Sequence, residues 1–253
     1  MTTNLSKDLA LLKKEGFLFV RNFLSPADLG RATQEFDGLF KEIPIFSQSH
    51  LNSTHITHTP DGYSGGKHLV VNRSSYQSIP NITDLFNSEW ARSLVNGYCG
   101  ANADFMMQVF MSEESVTRSS KEEWDRNNWL HFDPYPSIKF LLYLTDVDET
   151  TGASGVITGS RPIGRSYREK LNLSDNSGLH GGCPHRLEDW EEHPSYSNEC
   201  VKFATLKAGG LLVLDTDVLH CGGIMLKPDT LRKCVIIHNR PLNLIMPSHE
   251  QNI

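Results

Sequence analysis

The sequence predicts a mainly β fold, a sandwich or jelly roll flanked by helices, and three observations lead to it. From residue 103 onward short apolar runs recur at Phe105–Met111, Trp129–Phe132, Ile138–Leu144, Val156–Ile157, Val201–Leu206, Leu211–Leu214 and Cys234–Ile237. Turn signals separate them, among them Thr151-Gly152, Ala208-Gly209-Gly210 and Lys227-Pro228-Asp229. Helical periodicity, by contrast, is confined to about the first hundred residues. Many short strands punctuated by turns are the mark of closed or double-sheet β architectures.

The opening segment predicts helix, strand, helix. Leu5, Leu9, Leu11 and Leu12 recur at helical spacing and Gly16 ends the helix. Phe17–Val20 is a short apolar strand. Ser25-Pro26 then supplies an N-cap and a first-turn proline for a second helix, whose buried face carries Leu29, Ala32, Phe36 and Leu39. Residues 44–80, rich in Ser, Thr, His, Gly and Pro, predict a long loop. A further helix is expected over 82–99, stopped by Gly100. Residues 165–200 form a second long polar insertion, and Gly159-Ser160-Arg161 is read as a turn. The expected organisation is one domain over 1–253. Within it, residues 1–100 are mainly helical with the loop at about 44–80, and 101–245 is the β core with the insertion at about 165–200.

The chain has 253 residues, 38% hydrophobic and 21% charged, with a net charge of −6. That composition is globular, and the negative balance argues against a nucleic-acid partner, which demands a basic face. Five cysteines, an odd number with no C-x-x-C pair, fit a reducing compartment. The stretch MTTNLSKDLALLKKEGF has no apolar run of signal-peptide length, and no later run reaches membrane-spanning length. The expectation is a cytoplasmic protein without a membrane partner, a monomer or weak homodimer that acts on a small-molecule substrate.

Among 11 histidines, spacing has to choose. His131-Phe132-Asp133 is the sole H-x-D in the chain. On a strand, positions 131 and 133 point to one face, so an imidazole and a carboxylate converge there. That pair supplies two arms of a facial metal triad, although a bare H-x-D also occurs as a plain surface pair. The third arm is His220, which follows the apolar run of GGLLVLDTDVLHCGG, or His238, inside KCVIIHNR. If the cosubstrate is 2-oxoglutarate, its distal carboxylate needs a buried guanidinium. Arg232 lies 12 residues after His220, and a turn through Lys227-Pro228-Asp229 would return it antiparallel beside that histidine. Arg240 stands too close to His238 to serve in the same way. His220 is the better third ligand.

The residues EGFLFVRNFLSPADL, WLHFDPYPSIKFLLYLTDVDETTGASGVITGSRPIGR and GGLLVLDTDVLHCGG, in that order, resemble the phytanoyl-CoA dioxygenase-like branch of the iron and 2-oxoglutarate oxygenases. The resemblance covers most of the chain. It implies a double-stranded β-helix (jelly-roll, cupin-like) core, with His131, Asp133 and His220 as Fe(II) ligands and Arg232 as the clamp on 2-oxoglutarate. It implies O2 as co-reactant, with release of succinate and CO2. Some relatives place a lysine or glutamine near the cosubstrate, which makes Gln108, Lys139 and Tyr143 candidates. Two departures stand out: Gly222 occupies a position where a hydroxyl residue is frequent, and the arginine follows its histidine by 12 residues rather than the common 11. Halogenating relatives replace the carboxylate ligand with a small residue; Asp133 therefore favours hydroxylation or another oxidation over halogenation.

Substrate contacts are expected from about 47–66 and 165–200, and from Trp129 and Tyr135 near the metal, with Arg161 a candidate partner for an anionic substrate. The alternative outcome on the same iron centre is desaturation, cyclisation or demethylation in natural-product biosynthesis. Two further readings are a catalytically silent jelly-roll binding protein and a zinc hydrolase built on the same triad.

Overall fold

The computed structural model describes residues 4–41, 50–51, 54–55, 66–71, 73–100, 105–114, 130–133, 137–170, 200–223 and 225–241. Helix α1 (Leu5–Glu15) is capped by the Asn4 side chain, which accepts from the Lys7 amide, and ends on Gly16 at φ 80°. A side chain there would be strained by the left-handed backbone and would also strike Val218. Strand β1 (Phe17–Val20) leads to α2 (Pro26–Lys41), where the Ser25 hydroxyl accepts from the Asp28 amide at 3.1 Å.

The stretch expected as loop at 44–80 contains extended structure. Two short strands, β2 (His50–Leu51) and β3 (Thr54–His55), precede β4 (Gly66–Val71), and a 3-10 turn covers Arg73–Ser78. Leu69 and Val71 of β4 alternate into the core, a period-2 signal too short to stand out beside the glycines. The single helix expected over 82–99 is two, α3 (Pro80–Phe86) and α4 (Glu89–Cys99). Ser88 breaks them, because its side chain accepts from the Ala91 amide and starts a new helix.

The remaining strands are β5 (Phe105–Glu114), β6 (Ile138–Tyr143), β7 (Gly155–Ile157), β8 (Val201–Phe203), β9 (Leu211–Asp215), β10 (His220–Cys221) and β11 (Arg232–Pro241). Among the described residues an eight-stranded antiparallel sheet runs β1-β9-β6-β11-β5-β4-β3-β2, and a three-stranded sheet runs β10-β7-β8. Residues 130–133 join the smaller sheet through an antiparallel bridge from His131 to His220. This is the expected jelly roll. Arg161 opens helix α5 (Arg161–Lys170) rather than closing a turn, so the first residues of the insertion at 165–200 are helical. Pro162, in the first turn of that helix, carried the signal.

Alternation on the strands sorts side chains into three clusters. Ile138, Phe140 and Leu142 of β6 face α1–α4, together with Val235, Ile237, Val109 and Met111. Leu141 and Tyr143 of β6 face the interior between the sheets, with Leu212, Leu214 and Cys234. Leu130, Phe132, Ile157 and Leu219 point out from the smaller sheet and are covered by Ile163 and Tyr167 of α5. None of the described helices is long and apolar enough to cross a membrane.

The helical layer is anchored by aromatic contacts. Phe140 meets the Phe86 ring at 5.6 Å and the Trp90 ring at 6.4 Å, and Trp90 meets Phe23 at 5.4 Å. Phe140 is fully buried on a central strand. Phe140→Ala should therefore cost about 3–5 kcal/mol of unfolding free energy in urea titrations; a loss below about 1 kcal/mol would show that the layers can collapse onto the gap.

Candidate metal centre

The backbone fixes where two of the three predicted ligands stand. His131 and His220 exchange amide-to-carbonyl hydrogen bonds, both 2.8 Å, and the Asp133 amide donates to the Thr216 carbonyl at 3.0 Å. Odd positions of 130–133 consequently face the interior, while Leu130 and Phe132 face α5. The metal-binding atoms of His131, Asp133 and His220 lie within 4.8 Å of one another, and all three side chains are largely buried.

Asp133 is the hub. Its Oδ1 stands 3.9 Å from His131 Nε2 and 3.3 Å from His220 Nε2. Its Oδ2 stands 2.7 Å from Lys139 Nζ and 3.8 Å from His238 Nδ1. Burial pushes this carboxyl up, but the Lys139 ammonium and the His220 and His238 imidazoles outweigh it and hold it well below the usual carboxylate range. Asp133 is thus ionised. His220 Nδ1 lies 2.7 Å from the Val218 carbonyl. A carbonyl only accepts, so Nδ1 carries the proton and Nε2 keeps its lone pair, within reach of the Lys139 ammonium at 3.1 Å. Burial and the nearby Lys139 push the His220 pKa down and keep the ring neutral, as a metal ligand must be.

Register explains the company these residues keep. Lys139 on β6 is paired with Leu214 on β9 and with His238 on β11, and His238 is paired with Gln108 on β5. Lys139 Nζ also reaches His220 Nε2 at 3.1 Å. The family resemblance made Lys139 a candidate cosubstrate contact; the structure sets its Nζ directly against two triad side chains. His238, the rejected rival for third ligand, joins the same cluster through Asp133, its ring edge-on to Phe110 at 5.1 Å. Only the register of β11 could have shown this.

Arg232 is buried at the start of β11 and donates to the Gly152 carbonyl. A side chain at residue 152 would meet the guanidinium at 3.0 Å, so glycine is needed for this approach. Arg232 does not return beside His220 as a hydrogen-bonded neighbour. β10 pairs with β7 while β11 pairs with β5 and β6, so the chain crosses between sheets through residues 222–231. Tyr143 lies in the electrostatic reach of Arg232, and its hydroxyl donates to Ser154 Oγ at 2.9 Å. Trp129 and Tyr135 lie outside the described residues, as do 171–199 of the predicted insertion and most of 47–66.

Arg161 belongs to another network. Its guanidinium donates to the Tyr98 hydroxyl at 2.7 Å, and Tyr98 donates to Asp215 Oδ2 at 2.5 Å. Asp217 pairs with Arg168 at 2.5 Å. A cleft of about 820 Å³ lined by Arg21, Asp146, Lys207, Lys227 and Thr230 lies beyond the far end of β6 from Lys139. Its carboxylates are already engaged, Asp146 by Lys207 and the Ala208 amide, Asp148 by Thr150 and Thr151. The candidate site is the triad.

A jelly roll that brings two imidazoles and one carboxylate together at the joint of its sheets defines a mononuclear metal centre of the facial-triad type. The chain matches the phytanoyl-CoA dioxygenase (PhyH) family over residues 12–225 and belongs to it. No curated protein sequence matches it. Among solved structures it is similar to the carbocyclase SnoK from nogalamycin biosynthesis, described as non-haem and alpha-ketoglutarate dependent, with TM-score 0.62 and 11% identity over 99% of this chain and 93% of that one. The epimerase SnoN, in complex with Fe3+, alpha ketoglutarate and nogalamycin RO, gives TM-score 0.60 and 14% identity over 94% and 83%. HygX from Streptomyces hygroscopicus, with nickel, 2-oxoglutarate and hygromycin B bound, gives 0.57 and 13% over 94% and 87%.

Asp217 makes the outer network testable by pH. Burial and the neighbouring Asp215 push its carboxyl up to about 6, against the pull of Arg168, Arg165 and Arg161. An unfolded aspartate titrates near 3.9, so between roughly pH 4 and 6 the folded chain holds a proton the unfolded chain lacks. The resulting stability is fully present below about pH 4 and lost as pH rises through about 6. The parent should gain stability relative to Asp217→Asn as pH falls from about 7 to about 5. Urea unfolding of both proteins across that range checks it; a difference independent of pH would refute it.

Proposed function

We propose that this protein is an Fe(II)- and 2-oxoglutarate-dependent dioxygenase that hydroxylates an unactivated C–H bond of a small metabolite. The observation that carries this reading is the convergence of His131, Asp133 and His220 at one point of a PhyH-family jelly roll. The donor set fits the group. Two imidazoles, one of them on the neutral His220, and one ionised carboxylate suit Fe(II), which would take the cosubstrate and O2 as its further partners. When bound, iron with 2-oxoglutarate supplies the oxidising power, through decarboxylation to succinate and CO2.

The chain's own residues do the rest. Asp133 brings the negative charge that a divalent ion requires, and the Val218 carbonyl fixes the tautomer of His220. Lys139 holds Asp133 Oδ2, which leaves Oδ1 turned toward both imidazoles. Arg232, buried and anchored on Gly152, is the proposed partner for the distal carboxylate of 2-oxoglutarate. Tyr143 and Gln108 are proposed cosubstrate contacts, and Trp129 and Tyr135 substrate contacts, whereas Arg161 is committed to Tyr98. A carboxylate ligand at residue 133 favours hydroxylation over halogenation. The solved structures that hold nogalamycin RO and hygromycin B support a small-molecule substrate. We place the enzyme in the cytoplasm as a monomer or weak homodimer.

Anaerobic titration with Fe(II) and 2-oxoglutarate should produce the weak visible charge-transfer band of the ternary complex. A succinate-release screen over a metabolite panel, with mass spectrometry of products, then identifies substrate and outcome; products altered by something other than one added oxygen would overturn hydroxylation. His131→Ala and His220→Ala should each abolish substrate-dependent succinate release, and parent-like turnover in either would sink the iron assignment. Arg232→Ala should mainly raise the 2-oxoglutarate concentration needed for half-maximal rate, by about tenfold or more for a lost charge-assisted pair. An unchanged requirement would move the clamp elsewhere.

A further inference from the structure

Helix α5 packs behind both segments that carry the triad, and one residue touches both. A side-chain carbon at Gly164 would lie 2.0 Å from the Asp217 carbonyl oxygen and 3.2 Å from Phe132 Cβ. Phe132 stands between His131 and Asp133, and Asp217 sits in the turn that leads to His220. The absence of a side chain at residue 164 therefore sets how closely the helix approaches both ligand segments. Tyr167, one turn along, stacks on Phe132 with ring centres 6.1 Å apart.

Two polar contacts fix the turn to this helix. Arg168, buried, pairs with Asp217 at 2.5 Å. Ser160, fully buried at the mouth of α5, accepts from the Leu219 amide at 2.9 Å and donates to the Ile157 carbonyl at 2.7 Å. Leu219 is the residue before His220. A buried carboxylate beside Asp215 is costly to keep, since burial raises its proton affinity. Its partner lies on α5, which also contacts the H-x-D segment.

We propose that α5 is the positioning element of the metal centre, with Gly164 and Arg168 setting the separation and orientation of the His131–Asp133 and His220 segments. None of its side chains is a ligand. They act through the ligand-bearing backbone, as hydrogen-bonded outer partners of metal ligands do elsewhere. The inference rests on the reading of His131, Asp133 and His220 as ligands.

The test is metal binding by the full chain. Gly164→Ala, Arg168→Met and Arg168→Lys are compared with the parent by anaerobic Fe(II) titration. The position of the charge-transfer band with 2-oxoglutarate is recorded for each, together with metal-free thermal unfolding. Gly164→Ala and Arg168→Met should weaken Fe(II) binding about tenfold or more and shift the band, while Arg168→Lys stays within about threefold of the parent. Should either variant fail to fold, Ser160→Ala, which removes only one hydroxyl, must weaken binding and shift the band in its place. A merely structural helix would lower the unfolding midpoint and leave affinity and band of the folded protein unchanged; that result overturns the proposal. A parent that binds no Fe(II) would overturn the metal reading itself. A parent that binds, with variants that bind identically, would remove only the role of α5.

Discussion

The two hydrogen bonds between the backbones of His131 and His220, each 2.8 Å, are the constraint on which the site depends. They bring together residues 89 positions apart in the chain. They also set the phase of both segments, because a slip of one residue in either would turn an imidazole out toward α5. Every other contact at the centre takes this bridge as its reference. Asp133 reaches Oδ1 to both rings because 131 and 133 share a face, and Lys139 reaches Oδ2 from the opposite sheet.

Burying this much charge is tolerable because it is paired internally. Asp133, Lys139, His220 and His238 satisfy one another in the space between the sheets. Without Lys139, Asp133 would be a buried anion with imidazoles alone around it, and such a group raises its pKa and neutralises. Apolar packing flanks this cluster, between the larger sheet and the N-terminal helices and, farther along the interior, around Leu141, Val156 and Leu212.

What could be read from the sequence was what local pattern determines. Alternation put 131 and 133 on one face; the cap at Ser25, the stop at Gly16 and the apolar runs located their elements to within a few residues. The features missed depend on register and on competing local signals. Lys139 and His238 meet Asp133 only because β6 and β11 pair at that register, which no short window contains. Ser88 breaks a helix whose apolar spacing runs on through it. Gly66–Val71 is a strand because β5 offers a partner, in a stretch whose composition argues for loop. At Arg161 the glycine of 159 outweighs a first-turn proline as a local signal, so a helix start has the look of a turn.

Strand β9 and the turn after it separate two of the molecule's charge networks. Leu214 faces the interior opposite Lys139, and Asp215 faces the helical side opposite Ile138. The chain then bends through Thr216 and Asp217 before His220 comes back inside. Asp215 and Asp217 therefore meet Tyr98, Arg161 and Arg168 outside the barrel, while the triad meets Lys139 and His238 within it. The described contacts join the sets through backbone: the Thr216 carbonyl receives the Asp133 amide, and the Val218 carbonyl receives His220 Nδ1. Charge changes in the outer set should reach the metal centre by displacement of those carbonyls more than by direct field. Geometry at the triad is thus sensitive to a helix that contributes no ligand.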